Sequence, residues 1–410
     1  MPAATPRLYR GHIIAICVFA TSGLTIGASQ YAFGEFVAPL RGEFGWTQTQ
    51  INLALSFALI ANLGAPLIGR AADRWGIRPV LFLSLLSIAA GFLLRPLISE
   101  PWHLYLFSSL VYLGFPGATL LAVGKLVKLW YPATPGRITG AVTSGNNVGG
   151  LTLPALAAVI IAAFGWREAF LAYGVLSLAL AVVALLVVTE DKERVARAMD
   201  ATGRGHLTGR SAVAAAEGLT VAEALRSRRF WLTMAGLVAA SFTYQGVLTQ
   251  LRQHFEEIGM PPVHATAGLA LIAAMGVGSK LLFGRASERI SARWATVISI
   301  TLQTAGVIVL ALAQGPTAGW IGIVIFGTGF GGLGALLVLA VQEVVGMKQF
   351  GTVMGVVQAA SVLSFAGGPL LAGIVHDASG GYGPAFLVFA GLFIVGTLLL
   401  IAARPDARPR

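Results

Sequence analysis

Apolar runs of eighteen or more residues recur along the whole of this 410-residue chain. A bilayer's hydrocarbon core is about 30 Å thick and takes about 20 helical residues to cross. The chain is 56% hydrophobic and 11% charged, whereas an ordinary soluble domain is about 25% charged. So much apolar surface cannot all be buried in one soluble core, and the surplus must face lipid. A β-barrel would show short strands of alternating polarity, and these runs do not alternate. The 51 glycines suit helices that approach closely in lipid. The fold class expected is therefore an all-α membrane protein.

Twelve spans are expected, near 12–34, 50–69, 79–97, 103–126, 138–164 and 169–188, then 230–251, 266–284, 295–313, 318–341, 353–375 and 385–403. A polar stretch divides the two sets, giving a first bundle at 1–189, a cytoplasmic linker at 190–229 and a second bundle at 230–410. The first apolar run is too long for a secretory signal and lacks a small-residue cleavage site, so it counts as the first span.

The basic residues test this count. With the N-terminus inside, 23 of the 28 Lys and Arg fall on inside segments and four fall outside: Arg41, Arg95, Arg167 and Arg252. That asymmetry is what the positive-inside rule demands. It explains the net charge of +11 without any nucleic acid, and it places both termini in the cytoplasm of a bacterial-type inner membrane. One basic residue is left over. Lys280 lies inside the eighth span, in "AAMGVGSKLLFGRASER".

The halves also repeat. "GRAADR" at 69–74 matches "GRASER" at 284–289, an offset of 215, and the same offset carries Gly136 to Gly351, Gly140 to Gly355 and Pro154 to Pro369. Two parallel six-helix repeats form one large class of transporter, with the substrate site near the midplane between the halves.

At these residues the chain resembles the major facilitator superfamily. "GRAADRWGIRP" is similar to that family's signature after the second span, carried here by Gly69, Asp73, Arg74, Gly76 and Arg78, with Glu288 and Arg289 at the repeated site. Within the superfamily, "YAFGEFVAPLRGEFGWTQTQI", "WYPATPGRITGAVTSGNNVGG", "FGWREAF" and "GSKLLFGRASER" resemble the monocarboxylate-porter branch, which includes oxalate–formate-type exchangers. The branch usually has an arginine at the position of Lys280, understood to pair with the substrate carboxylate, and the resemblance implies the same for Lys280. Two departures stand out. Gly276 occupies the place where some members carry a proton-coupling aspartate, which puts the familiar relay in doubt. The eleventh span has no ionisable residue, which argues against oxalate.

Other readings start from the residues. Lys280 lies five residues before Arg285, about 7.5 Å deeper at the helical rise. A snorkelling lysine would lie on the lipid face, whereas Ala273, Gly276, Lys280, Gly284 and Ser287 form a small and polar stripe opposite Leu281 and Leu282. The stripe favours a cavity. Asn146 and Asn147 lie deep in the fifth span, either as glue between helices or as cavity groups; neighbours on a helix cannot share one face. Because the first, fourth, seventh and tenth helices line the cavity in the resembled family, Gln30, Tyr31, Tyr244 and Gln245 join the candidate substrate-binding residues. Tyr112, Gln250 and Gln358 are further polar groups within spans. Lys125, close to Lys128 and Trp130, reads as an inside anchor rather than a second substrate cation. Glu35 and Glu343 fall near span ends and read as solvated. Asp73, Arg74 and the residues around them read as a gate at the cytoplasmic mouth. "TVAEALRSRRFW" reads as a short amphipathic helix with Ala222, Leu225 and Phe230 facing the membrane. Cys17, the single cysteine, reads as a packing residue.

No phosphate-binding loop, metal cluster or hydrolytic triad is present in the sequence, so the chain is expected to be neither an enzyme nor an ATP-driven pump and to need no cofactor. The reading is a monomeric secondary carrier of a small organic anion, foremost a monocarboxylate, by proton symport or anion exchange. Efflux of apolar compounds, or a carrier-fold sensor without net transport, remain open alternatives.

Overall fold

Each apolar run becomes one long helix because a backbone in lipid must satisfy its own hydrogen bonds. A computed structural model describes residues 9–203, 207 and 218–404; Arg7, Arg204, Arg210, Arg408 and Arg410 lie outside the described residues. The long helices are α1 (Arg10–Phe44), α2 (Gln48–Trp75), α3 (Ile77–Leu97), α4 (Pro101–Trp130), α5 (Pro135–Ala163) and α6 (Trp166–Val187), then α7 (Arg228–Glu257), α8 (Val263–Ile290), α9 (Ala292–Ala311), α10 (Pro316–Val345), α11 (Phe350–Ser379) and α12 (Tyr382–Ala402). Among the described residues, eleven of these are long and apolar enough to cross a membrane. The other, α7, has the length, with 30 residues, but Thr243, Tyr244, Gln245, Thr249, Gln250 and Arg252 make it more polar.

The chain divides into two units, residues 1–219 with 346–359, and residues 220–345 with 360–410. In the first, α1 packs on α5 and α6, α3 on α4 and α6, and α2 on α4. In the second, α7 packs on α11 and α12, α9 on α10 and α12, and α8 on α10. The pairings are the same with six helices added. The first turns of α11 fall in the first unit because their backbone lies directly on that of α2, Gly351 on Gly69 and Gly355 on Ala65.

The repeat extends to backbone dihedrals. Gly76 ends α2 at φ 89°, and Ser291, 215 residues on, ends α8 at φ 79°, although a left-handed conformation is strained for any side chain other than glycine. Glu190 then receives the N–H groups of Ile77 and Arg78 at the start of α3. Glu343 receives those of Ala292 and Arg293 at the start of α9, at 2.7 and 3.3 Å. Each carboxylate satisfies orphan donors at a helix N-terminus. Glu343 also pairs with Arg229 at 3.3 Å, so it is a structural cap and not the solvated group expected from its place near a span end.

Two other expectations are corrected. Arg95, counted as a cation of an outside loop, is 1% exposed. Its guanidinium lies 4.8 Å from the ring centres of both Phe92 and Phe170 and donates to Ser108 Oγ at 3.0 Å. The linker helix Val221–Arg226 stops before Phe230, since Ser227 caps α7. Ala222 and Leu225 are exposed, but Phe230 is buried within the second unit, so the three do not form one membrane-facing stripe.

Candidate functional site

Several long helices are interrupted, and the interruptions gather the polar candidates. In α1 the helix widens to a π turn at Gly27–Tyr31 and tightens to a 3₁₀ turn at Ala32–Phe36. α5 breaks at Ser144 and α11 at Ser361; α4 breaks at Thr119 and α10 at Gly331. Pro154 and Pro369 each remove a ladder N–H one or more turns beyond the α5 and α11 breaks. Broken helices at depth are where transporters of this architecture place ligand-binding groups.

In the first unit, α1 and α5 touch through backbone. A methyl group added at Gly23 would lie 2.7 Å from the Gly145 carbonyl oxygen, and one at Gly27 2.6 Å from that of Gly149. Only glycine fits at these crossings. The contact brings Tyr31 onto α5, with its ring over Gly150, one turn from Asn146 and Asn147. Asn147 is 7% exposed. Asn146 is half-buried, with a buried Oδ1 that has no hydrogen-bond partner. Gln30 points elsewhere: with Phe33, Val37, Arg41, Gln48 and Asn52 it lines a cavity of about 440 Å³. Gln30 and Tyr31 therefore diverge, and only Tyr31 joins the asparagines.

In the second unit the focus is the α10 break. Gly331 lies on the α8 backbone at Gly276, and Ser279 Oγ accepts the Gly332 N–H at 2.9 Å. One residue along α8, Lys280 is 6% exposed, whereas Leu281 and Leu282 are 44% and 61% exposed. The lysine is on the buried side of α8 and not on its exposed side. A methyl group added at Gly334 would sit 3.3 Å from Lys280 Cε and 3.9 Å from Nζ, so the absence of a side chain there makes room for the lysine. From the other side of the break, Phe330 stacks on Tyr244, with centroids 4.6 Å apart and planes 6° apart. Lys280 and Tyr244 thus meet α10 four positions apart, at Gly334 and Phe330. Gln245 is half-buried beside Tyr244.

The signature residues form a second constellation. The Asp73 carboxylate accepts the N–H groups of Gly351 and Thr352 at 2.9 and 2.7 Å and the Thr352 hydroxyl at 2.8 Å. It therefore caps α11, where the helix dipole favours an anion. Lys125 Nζ pairs with it at 2.9 Å and donates to the Ala72 carbonyl at 2.6 Å. Lys125 is committed to this site. Gly69 permits the α2–α11 approach, and Gly76 supplies the positive φ beside Glu190. Arg78 caps the other end of a helix, donating to the Leu185 carbonyl of α6 from Nε and Nη2 at 2.9 and 2.6 Å. Arg74 and Arg289 are exposed, and Glu288 is half-buried.

Among the charged groups whose partners sequence reasoning missed are Glu190, Arg95 and a cluster of His254, Glu257 and His376 in the second unit. The last had a faint signal in the i, i+3 spacing of His254 and Glu257 just past a span end.

Comparisons with known proteins agree with this architecture. The profile of the Major Facilitator Superfamily matches residues 16–367. Monocarboxylate transporter 11 of Homo sapiens is 24% identical over 423 residues, covering 100% of this chain and 86% of that protein. The inner membrane transport protein YnfM of Escherichia coli (strain K12) is 27% identical over 191 residues, 46% of this chain and 44% of its own length. Among solved structures, the proton:xylose symporter XylE superposes with a TM-score of 0.74 at 14% identity, covering 97% of this chain and 96% of that one. The human organic anion transporter MFSD10 gives 0.67 at 17%, covering 95% and 99%. The family profile spans most of the chain and the relatives are transport proteins, so the chain belongs to the Major Facilitator Superfamily, as a transporter and not an enzyme.

Proposed function

We propose that the chain is a secondary carrier of a small organic anion, foremost a monocarboxylate, working by alternating access, and that Lys280 binds the carboxylate. The observation that carries this reading is the burial of the Lys280 ammonium at the α10 break, on the side of α8 away from its exposed leucines. A buried ammonium turned toward the protein interior offers a carboxylate a charge-assisted hydrogen bond. Tyr244 and Gln245 belong to the same unit as Lys280 and are proposed as further binding groups beside it; Gln30, Tyr31, Asn146 and Asn147 are proposed as the candidate binding groups of the first unit. The name of the human relative supports the substrate class. That of the Escherichia coli relative, with the positive-inside count, supports a bacterial inner membrane with both termini cytoplasmic. The division into bundles at 1–189 and 230–410 joined by the linker 190–229, and a monomeric state, belong to the same reading.

Two coupling modes follow from the lysine. If the ammonium gives up its proton when the site is empty, each anion enters with a proton. If it keeps the proton, the carrier exchanges anion for anion. Asp73, capping α11 and holding Lys125, would serve as a latch that must open between states. The deciding experiment is uptake of labelled lactate, pyruvate and acetate into proteoliposomes with and without a pH gradient. Saturable uptake of one of them is the expected result. Uptake of none, alongside transport of apolar compounds, would favour the efflux reading; ligand binding without uptake would favour a sensor.

A further inference from the structure

We propose that His254 Nδ1 and the Glu257 carboxylate form a proton-binding site, completed by His376, that fastens the C-terminal ends of α7 and α11 to the start of α12. The link from this site to transport rests on the carrier reading above; the site itself does not.

His254 is 2% exposed, in the last turn of α7. Its Nε2 lies 2.7 Å from the Leu310 carbonyl oxygen of α9. A carbonyl only accepts, so Nε2 carries a hydrogen in every state of the ring, and Nδ1 is the one position left to gain or lose a proton. Nδ1 is buried without a hydrogen-bond partner and faces Glu257 Oε2 at 3.8 Å. While Nδ1 is bare, a lone pair confronts a carboxylate oxygen with nothing between them. One proton turns that pair into a charge-assisted N–H···O bond, and the gap can then close to an ordinary distance.

The carboxylate is positioned by its other partners to accept the Nδ1–H. Glu257 Oε2 accepts the Tyr382 N–H at 3.0 Å, at the first residue of α12, where the helix dipole favours negative charge. Its Oε1 lies 3.0 Å from His376 Nε2. The other charged and titratable groups facing the site are Asp377, 3.4 Å from His376 Nδ1, and Tyr382, whose ring is 4.3 Å from that of His376. On α7 itself Arg252 and Glu256 pair with each other at 3.2 Å. α9 presents the Leu310 carbonyl and α12 the Phe386 ring, 4.6 Å from His254.

The consequence is mechanical. With Nδ1 bare, Glu257 ties α11 and α12 to α7 through the flexible end of its own side chain. With Nδ1 protonated, the buried ring and the carboxylate lock, and α7 is anchored rigidly. The apolar stretch of α8 contains no acid before Glu288, so this cluster gives the second unit a carboxylate that this stretch does not supply.

The test is histidine-selective NMR on the full chain in nanodiscs, with the His254 resonance assigned by its loss in His254→Gln. In the wild type that resonance shifts with pH as Nδ1 gains its proton, with Nε2 protonated throughout. In Glu257→Gln its midpoint falls by at least about one pH unit, a tenfold loss of proton affinity. His376→Gln lowers it less. Unchanged resonances from the remaining histidines report that each variant is folded. A His254 ring that stays neutral down to pH 5 in the wild type, or a midpoint that Glu257→Gln leaves in place, overturns the site. For coupling, the ratio of gradient-driven uptake to counterflow of labelled lactate is expected to fall about tenfold in His254→Gln; an unchanged ratio overturns the coupling. If the wild type carries no carboxylate at all, the carrier reading fails while the titration still decides the proton site.

Discussion

Asp73 holds Lys125 at 2.9 Å while the same carboxylate caps α11 through Gly351 and Thr352. Three helices, α2, α4 and α11, therefore meet on one side chain. Both partners are largely buried, at 11% and 12% side-chain exposure, so the pair is neither freely solvated nor easily replaced by water. Asp73→Asn keeps the size and removes the charge. It weakens a cap worth about 0.5–2 kcal/mol and leaves Lys125 without its counter-ion. We expect uptake to slow about tenfold, equivalent to about 1.4 kcal/mol on the barrier, with substrate affinity changed less than about threefold. Loss of binding at an unchanged rate of conformational exchange would assign Asp73 to the wrong step.

Arg95 gives a prediction with an unusual sign. Its Nε and Nη1 are buried without hydrogen-bond partners, and it is clamped between Phe92 and Phe170. Replacing a buried ion by an apolar side chain of similar length is often neutral or stabilising. Arg95→Met should unfold in detergent at the wild-type temperature or above it. Arg95→Ala leaves a cavity and should cost about 2–5 kcal/mol. Equal destabilisation of the two would mean that the charge itself is required.

The α1–α5 crossing predicts a contrast between glycines. A side chain at Gly149 would collide with the Gly23 backbone, and backbone cannot move aside cheaply. Gly149→Val should abolish the folded, monodisperse protein. Gly34→Ala, where a methyl group meets nothing within 4 Å, should be stable and expressed. Size-exclusion profiles of the two separate the outcomes.

The long helices, the repeat and the exposed side of α8 were legible because each is written in local periodicity or in a fixed offset. Leu281 and Leu282 mark one face of α8, and Lys280 follows by helical geometry. The settings of Arg95, Glu343 and His254 were not legible, because each is completed by neighbours from far along the chain. Phe170 reaches Arg95 from α6, and His376 reaches Glu257 across 119 residues. A charge count sees Arg95 only as a basic residue at a span end. Glu343 failed for the same reason: nothing near it in sequence announces that the turn after α8 needs a carboxylate. Its counterpart Glu190 does the same for α3, but it sits in the linker and outside the 215 offset.

Orientation is tested by single cysteines in a Cys17→Ser background. Ala222, on the exposed linker helix, and Thr317, at the start of α10, are both exposed. Impermeant maleimide should label Ala222→Cys from the cytoplasmic side and Thr317→Cys from the opposite side. Labelling of both from one side would overturn the proposed crossing of α7, α8 and α9 between them.

Lys280 carries the substrate reading, and two substitutions separate its roles. Lys280→Ala removes the ammonium and leaves a small space beside Gly334 without disturbing the Gly276–Gly331 contact. The protein should fold as before and lose carboxylate binding. Lys280→Arg keeps a cation but places a larger, planar group against α10, where a methyl group on Gly334 would already lie 3.3 Å from the lysine stem. A guanidinium stays charged at every working pH and can hold a carboxylate by two hydrogen bonds. The Arg variant should therefore keep part of the exchange activity, while any symport that depends on the lysine shedding its proton weakens. Uptake of labelled lactate and pyruvate, measured together with acid-driven proton movement in the same vesicles, distinguishes the cases. If Lys280→Ala transports a carboxylate as well as the wild type, the buried ammonium is structural and the anion reading falls. If Lys280→Arg couples protons as fully as lysine, the proton is carried elsewhere, and the His254–Glu257 pair becomes the first place to look.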